Sequence, residues 1–170
     1  MKENFKITDK ETGKEYWISR AMAVTGIIVS IDENNNLYFL VEKRGPGCPD
    51  FVGYYCNPCG YLSWDETLSE AVVREVFEET GVDVSKDEKH IWNIMDDPKD
   101  NARQNVTVRF LIYHDYEDLK KRVYDLSSEL RGGEEGEVSE ILLMPAEDID
   151  KYNWAWNHGE ILRDVVAKAA

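Results

Sequence analysis

The chain has 170 residues, 42% of them hydrophobic, enough for one domain with a real core over 1–170. It carries 34 acidic against 20 basic residues, a net charge of −14, with no basic stripe, which argues against binding a nucleic acid polymer through its phosphates. No run of about 18 apolar residues offers a membrane span, and the opening Met1-Lys2-Glu3-Asn4-Phe5-Lys6 lacks an apolar signal core, so a cytoplasmic protein is expected.

In chain order, Glu15 to Arg20 and Ala21 to Ile31 are rich in β-formers and read as strands, the second strongly apolar. Asp32-Glu33-Asn34-Asn35-Asn36 is a turn, and Leu37 to Lys43 returns as a strand, which makes a hairpin. A Pro/Gly loop follows, then a short strand from Tyr54 to Asn57. Thr67-Leu68-Ser69-Glu70 reads as a capping box opening a helix that runs to Thr80, with Gly81 just past its end. Further strands are expected at His90 to Met95, Asn105 to Tyr113 and Ile141 to Met144, and a helix over Asn157 to Ala169 with Asn157 as cap. Leu119, Val123, Leu126 and Leu130 form a helical stripe that reads as a surface helix. Strands interleaved with helices suggest a mixed sheet packed between helices, an α/β fold.

Cys48, Cys56 and Cys59 fall within twelve residues. The Cys56-Pro58-Cys59 region has Cys-x-x-Cys spacing, but no fourth cysteine or nearby histidine completes a zinc site, so it reads as part of a loop. An odd cysteine count suits a reducing compartment better than a disulfide framework.

The first helix concentrates charge. At about 100° per residue, Val72, Val73, Val76 and Phe77 share one arc, while Glu75, Glu78 and Glu79 share another. Glu75 is a helical neighbour of both Glu78 and Glu79, and each like-charge pair costs about 0.2–0.5 kcal/mol on an exposed helix. Two of the acids lie in the last turn, where the helix dipole disfavours them. Arg74 is spaced to offset part of this through Glu70 and Glu78. Such a cluster suits a hard divalent cation, which prefers carboxylate and carbonyl oxygen and keeps waters for phosphates to replace.

These residues resemble the Nudix box: Gly60, Glu66, Arg74, Glu75, Val76, Glu78, Glu79, Gly81 and Val82 occupy every specified position of it. The resemblance implies the Nudix fold, an α/β/α sandwich with a mixed β-sheet. It also implies Mg²⁺-dependent (or Mn²⁺-dependent) hydrolysis of a nucleoside diphosphate linked to another group. Glu75, Glu78 and Glu79 would be metal ligands, with the Cys59 carbonyl; Arg74 would orient a glutamate, and Glu66 would support the loop or hold a metal through water. Many relatives have Pro-Gly-Gly where this chain has Pro58-Cys59-Gly60, a departure that bears on loop geometry because glycine allows angles that cysteine resists. The general base varies in the family, between a box glutamate and one on a distant loop; Glu135 or Glu134 in the acidic 131–137 loop is the candidate here.

For substrate contacts, Arg44 ends a strand, and Arg103 and Gln104 begin the strand expected opposite. Tyr54, Tyr55, Trp64, Trp154 and Trp156 are stacking candidates for a base. His158 has its place explained by a helix start and is not expected to be an acid–base catalyst. The partner is a small nucleotide, with a homodimer left open. The lean is to a nucleoside triphosphate, cleaved to monophosphate and pyrophosphate. The alternatives are ADP-ribose or a nucleotide sugar, and a sensor that binds without cleaving.

Overall fold

Ten residues of apolar sequence make β3 (Met22–Ile31) the spine of the molecule. The computed structural model describes residues 4–98, 105–127 and 136–169. Before β3 lies a separate ribbon, β1 (Phe5–Thr8) paired antiparallel with β2 (Glu15–Ile18). After it come β4 (Leu37–Arg44), β5 (Tyr55–Cys56), β6 (Cys59–Tyr61) and the helix α1 (Leu68–Thr80). The second half holds β7 (Lys89–Met95), β8 (Val106–Tyr113), α2 (Tyr116–Ser127), β9 (Val138–Pro145), a 3₁₀ turn over Ala146–Lys151, and α3 (His158–Ala169).

Seven strands form one mixed sheet in the order β5-β4-β3-β8-β7, with β6 added on β3 and β9 on β4. Only β3 and β8 run parallel in it; the other pairs are antiparallel. The β3–β4 hairpin turns where expected. Asp32 Oδ1 accepts from the N–H groups of Asn34 and Asn36, at 2.9 and 2.8 Å, and Asn35 takes the left-handed φ of 63° that asparagine tolerates.

Alternation along β3 divides the core. Val24 and Ile28 pack with Val72, Val76, Val108 and Ile112 under α1, while Ile27 and Val29 pack with Leu111, Ile161, Leu162 and Val165 under α3. The result is the expected α/β arrangement, a mixed sheet between helical layers. Gly26 makes it tight on the α1 side, since a Cβ there would lie 2.8 Å from Val76 Cγ2.

The ends of α1 follow the sequence. Thr67 Oγ1 accepts from the Glu70 N–H at 3.2 Å and Glu70 Oε2 accepts from the Thr67 N–H at 2.8 Å, closing the capping box. Gly81, at φ 65°, donates its N–H to the Phe77 carbonyl at 2.7 Å. Its buried face is Ala71, Val72, Val76 and Thr80. Phe77, expected on the apolar arc, is 54% exposed because the stripe drifts past it at the last turn.

Three further differences from expectation have local causes. β1 was missed because it is only four residues long and its one apolar face, Phe5 and Ile7, stays exposed. β6 was missed because three residues with a central glycine carry no strand signal, and pairing with β3 imposes the conformation. The surface helix expected along the 119–130 stripe forms as α2 over Tyr116–Ser127, but Leu119 is fully buried against the core; Leu130 lies outside the described residues.

Candidate active site

Arg74 is the hub of the acidic helix. Its Nε and Nη2 donate to the two Glu66 oxygens at 2.9 and 2.7 Å, and its Nη1 donates to Glu75 Oε1 at 2.8 Å and Glu78 Oε2 at 3.0 Å. Nη2 also reaches the Tyr61 carbonyl at 3.0 Å. Glu66 accepts from the Ser63 N–H at 2.7 Å as well, and the adjacent guanidinium holds its carboxyl down to about 2. Glu70, expected to share Arg74, does not: the capping box occupies it, and Glu66 takes its place.

The other two acids turn inward. The Glu75 carboxylate lies against Gly60, where any Cβ would collide with it. Glu79 Oε2 accepts from the Cys59 N–H at 2.8 Å, which ties the end of the helix to the box loop. Burial raises the pKa of both; for Glu79, the negative charge of Glu42 adds to it.

Glu42 was not singled out from the sequence. It is 2% exposed on β4, accepts from Cys56 Sγ at 3.2 Å, and leaves Oε2 without a partner among the described residues. Burial pushes its carboxyl up to about 7. The sequence signal was available, since an acid inside the run Leu37-Tyr38-Phe39-Leu40-Val41-Glu42 on an otherwise apolar strand needs a reason to be there.

This surplus of buried negative charge fits a cation. Among the described residues, no three His, Cys, Asp or Glu side chains converge into a finished metal cage. A cation here would complete its shell with the Cys59 carbonyl, waters and ligand oxygens, a set suited to Mg²⁺ and not to a closed zinc site. Gly60, next in the chain to that carbonyl, supplies the space that the Glu75 carboxylate occupies. Cys48, Cys56 and Cys59 are free thiols.

The opposite wall is basic. His158, 5% exposed, accepts the Asn57 N–H on Nδ1 at 2.9 Å; burial, then the charges of Arg109 and Arg44, hold it down to about 3, so it stays neutral. Asn157, expected only to cap α3, turns its Oδ1 to Arg109 Nη2 at 3.0 Å. Arg44 is largely buried: it donates to the Asp50 carbonyl and carboxylate, both at 3.1 Å, and stacks on Trp156 at 4.6 Å. Arg109 was also missed, as one cation inside the strand pattern of 105–113.

Of the stacking candidates, Trp156 and Tyr54 gather around Phe51, with ring centroids 5.3 and 5.6 Å away. Phe51 and Trp156 both hold positive φ, 52° and 49°, an uncommon state for aromatic residues. Trp154 donates to the Ile149 carbonyl at 2.8 Å, Tyr55 donates to Glu140 at 3.0 Å, and Trp64 stands 92% exposed beside Tyr16. Arg103, Gln104, Glu134 and Glu135 lie outside the described residues.

The chain is 28% identical over 163 residues to the ADP-ribose pyrophosphatase of Methanocaldococcus jannaschii, covering 94% of this chain and 82% of the relative. Its fold is similar to a mutT/nudix family protein from Listeria innocua (TM-score 0.68, 22% identity, 88% of this chain and 93% of that one). It is also similar to the NUDIX domain of Shewanella oneidensis NrtR, solved with ADP ribose (TM-score 0.63, 16% identity, 90% of each chain). The NUDIX domain model matches residues 20–165, and with its box acids gathered at one loop the chain belongs to the Nudix family of pyrophosphate-bond hydrolases.

Proposed function

We propose that this enzyme hydrolyses the diphosphate of ADP-ribose or a closely similar nucleoside diphosphate sugar. The observation that carries the substrate is the similarity along 94% of the chain to a relative named as an ADP-ribose pyrophosphatase. It moves the reading away from the nucleoside triphosphate favoured by the sequence, which stays as the second reading because the box acids serve either substrate equally.

Cys59 through its carbonyl, Glu75 and Glu79 would hold a divalent cation of the Mg²⁺ class, with Glu78 at the rim. When bound, it neutralises the diphosphate oxygens and acidifies a water. The chain's own residues prepare that position. Arg74 fixes Glu66, Glu75 and Glu78 in one array, and the Cys59 N–H fixes the Glu79 carboxylate. Neutral His158 supports the wall through Asn57 and takes no proton near neutral pH. A carboxylate accepts the water's proton, assigned to Glu135 or its neighbour Glu134 on the sequence. Arg44, Arg103 and Gln104 are the proposed substrate contacts, with Arg44 acting chiefly by holding Trp156.

A hydrolysis panel with Mg²⁺ tests the reading, over ADP-ribose, nucleotide sugars, nucleoside triphosphates and dinucleoside polyphosphates, with Glu79→Gln beside wild type. ADP-ribose should give AMP with the highest kcat/KM, and the variant should keep its fold by circular dichroism while kcat falls by orders of magnitude. A triphosphate preferred over ADP-ribose would select the second reading, and undiminished turnover in Glu79→Gln would remove the metal assignment.

A further inference from the structure

Arg109 is a cation without a counter-ion among the described residues. It is 5% exposed, yet its neighbours are neutral: Nη1 donates to Asn93 Oδ1 at 3.4 Å, and Nη2 to Met95 Sδ at 3.3 Å and Asn157 Oδ1 at 3.0 Å. Its Nε is buried with no partner among the described residues. The contrast within the chain is plain, because Arg74, Arg44 and Arg163 each hold a carboxylate, and acids outnumber bases 34 to 20. Leaving a buried guanidinium unpaired is costly, and structural arginines normally avoid it. An ordered water could satisfy an N–H, but it would not balance the charge.

The sheet says where that charge is directed. Cys59 on β6 pairs with Thr25 on β3, Thr25 pairs with Arg109 on β8, and Arg109 pairs with Asn93 on β7. Directly paired residues project from the same face. One transverse row of polar side chains therefore runs from the box loop to the edge strand. Two inter-strand steps put the Cα atoms of Cys59 and Arg109 about 10 Å apart, a span that the long arginine side chain largely covers. The same wall carries Asn57, fully buried, with both carboxamide atoms unpartnered among the described residues. It also carries His158, which stays neutral and adds no negative charge.

We propose that Arg109 is a substrate-binding residue whose unpaired guanidinium takes a phosphate oxygen of the substrate's diphosphate, laid along the Cys59–Thr25–Arg109–Asn93 row. The inference rests on reading the cleft as a diphosphate site and adds the cationic half that the acidic helix lacks. The fork of Arg109 is aimed by Asn93 and Asn157, from β7 and the start of α3, so three elements must be in place to present it. A diphosphate would supply both the missing charge and an acceptor for Nε–H.

Calorimetric binding of inorganic pyrophosphate and, separately, adenosine in EDTA tests this on wild type, Arg109→Met and Arg109→Lys. Steady-state kinetics on ADP-ribose with Mg²⁺ accompany it. Arg109→Met should weaken pyrophosphate about tenfold or more, Arg109→Lys less, and neither should alter adenosine. KM should rise about tenfold in Arg109→Met while kcat moves far less. Unchanged pyrophosphate affinity with a lowered Tm would make Arg109 a structural clamp and overturn the inference, as would a loss confined to adenosine or a wild type that binds no pyrophosphate. If Arg109→Met does not fold, Arg109→Lys decides, since it keeps the charge and loses the fork. Failure of ADP-ribose hydrolysis in wild type would strike the proposed substrate alone, leaving the pyrophosphate measurement to judge Arg109.

Discussion

At the scale of single residues, the site is organised by separating its charges. Glu66, Glu75 and Glu78 share Arg74, whereas the buried Glu42 and the half-buried Glu79 lie beside each other with no ion pair among the described residues, although Glu42 feels the charge of Arg44. The second pair makes the metal-free protein sensitive to pH. A carboxyl whose folded pKa is raised binds its proton more tightly when folded, so it contributes stability at low pH that is lost as pH rises. For Glu42 the window runs from the ordinary 4.5 to about 7. His158 works the other way, since its lowered pKa favours the folded state as pH rises, so the Glu42 effect must be read by difference. Between pH 5 and 8 in EDTA, wild type should lose Tm relative to Glu42→Gln, and equal slopes would mean that Glu42 is already ionised in the folded protein at pH 5, its pKa not raised. The box acids and Arg74 were readable because their spacing is local. Glu42, Arg109 and Asn57 were not, because their meaning comes from neighbours 37, 48 and 101 residues away in sequence: Glu79, Asn157 and His158.

Among elements, the contact between α1 and β3 sets the position of the box acids. Val72 and Val76 rest on Gly26, and the missing side chain there lets the helix approach until Glu75 meets Gly60 and Glu79 meets the Cys59 N–H. Gly26→Ala should push α1 off the sheet, at a cost of about 1–3 kcal/mol in urea unfolding. It should also lower kcat/KM by more than the lost stability explains, because the displacement lies directly under the acids. A variant with normal activity would show that the helix seat tolerates a methyl group. The capped helix, the long strands and the hairpin were legible from caps, turn residues and alternation. The short strand β5 fell within the expected Tyr54–Asn57 segment, whereas β6, with three residues, has no period of its own and exists through pairing with β3.

Across the whole molecule, a net charge of −14 is a standing repulsion. Monovalent salt should relieve it generally by screening. Mg²⁺ should do more at matched ionic strength, because it binds the folded site and not the unfolded chain. Thermal melts in NaCl and in MgCl2 of equal ionic strength should therefore differ in wild type and converge in Glu79→Gln. A difference that persists in the variant would mean that the cation acts elsewhere. The overall architecture followed from alternating strands and helices, whereas the parallel β3–β8 pairing could not, since local patterning does not reveal a partner's direction.

That parallel pairing also divides the cleft in time. Its acidic side joins Cys59 to Glu79 across 20 residues, while the basic wall joins Asn57 to His158 across 101. Closing the longer loop costs about 1–2 kcal/mol more chain entropy, and the wall must wait for the last helix to be made. In a chain emerging from synthesis, the box acids of α1 are made before Arg109 and the strand that carries it. The wall proposed to take the diphosphate is therefore the part of the site that depends on elements made later, β8 and the start of α3.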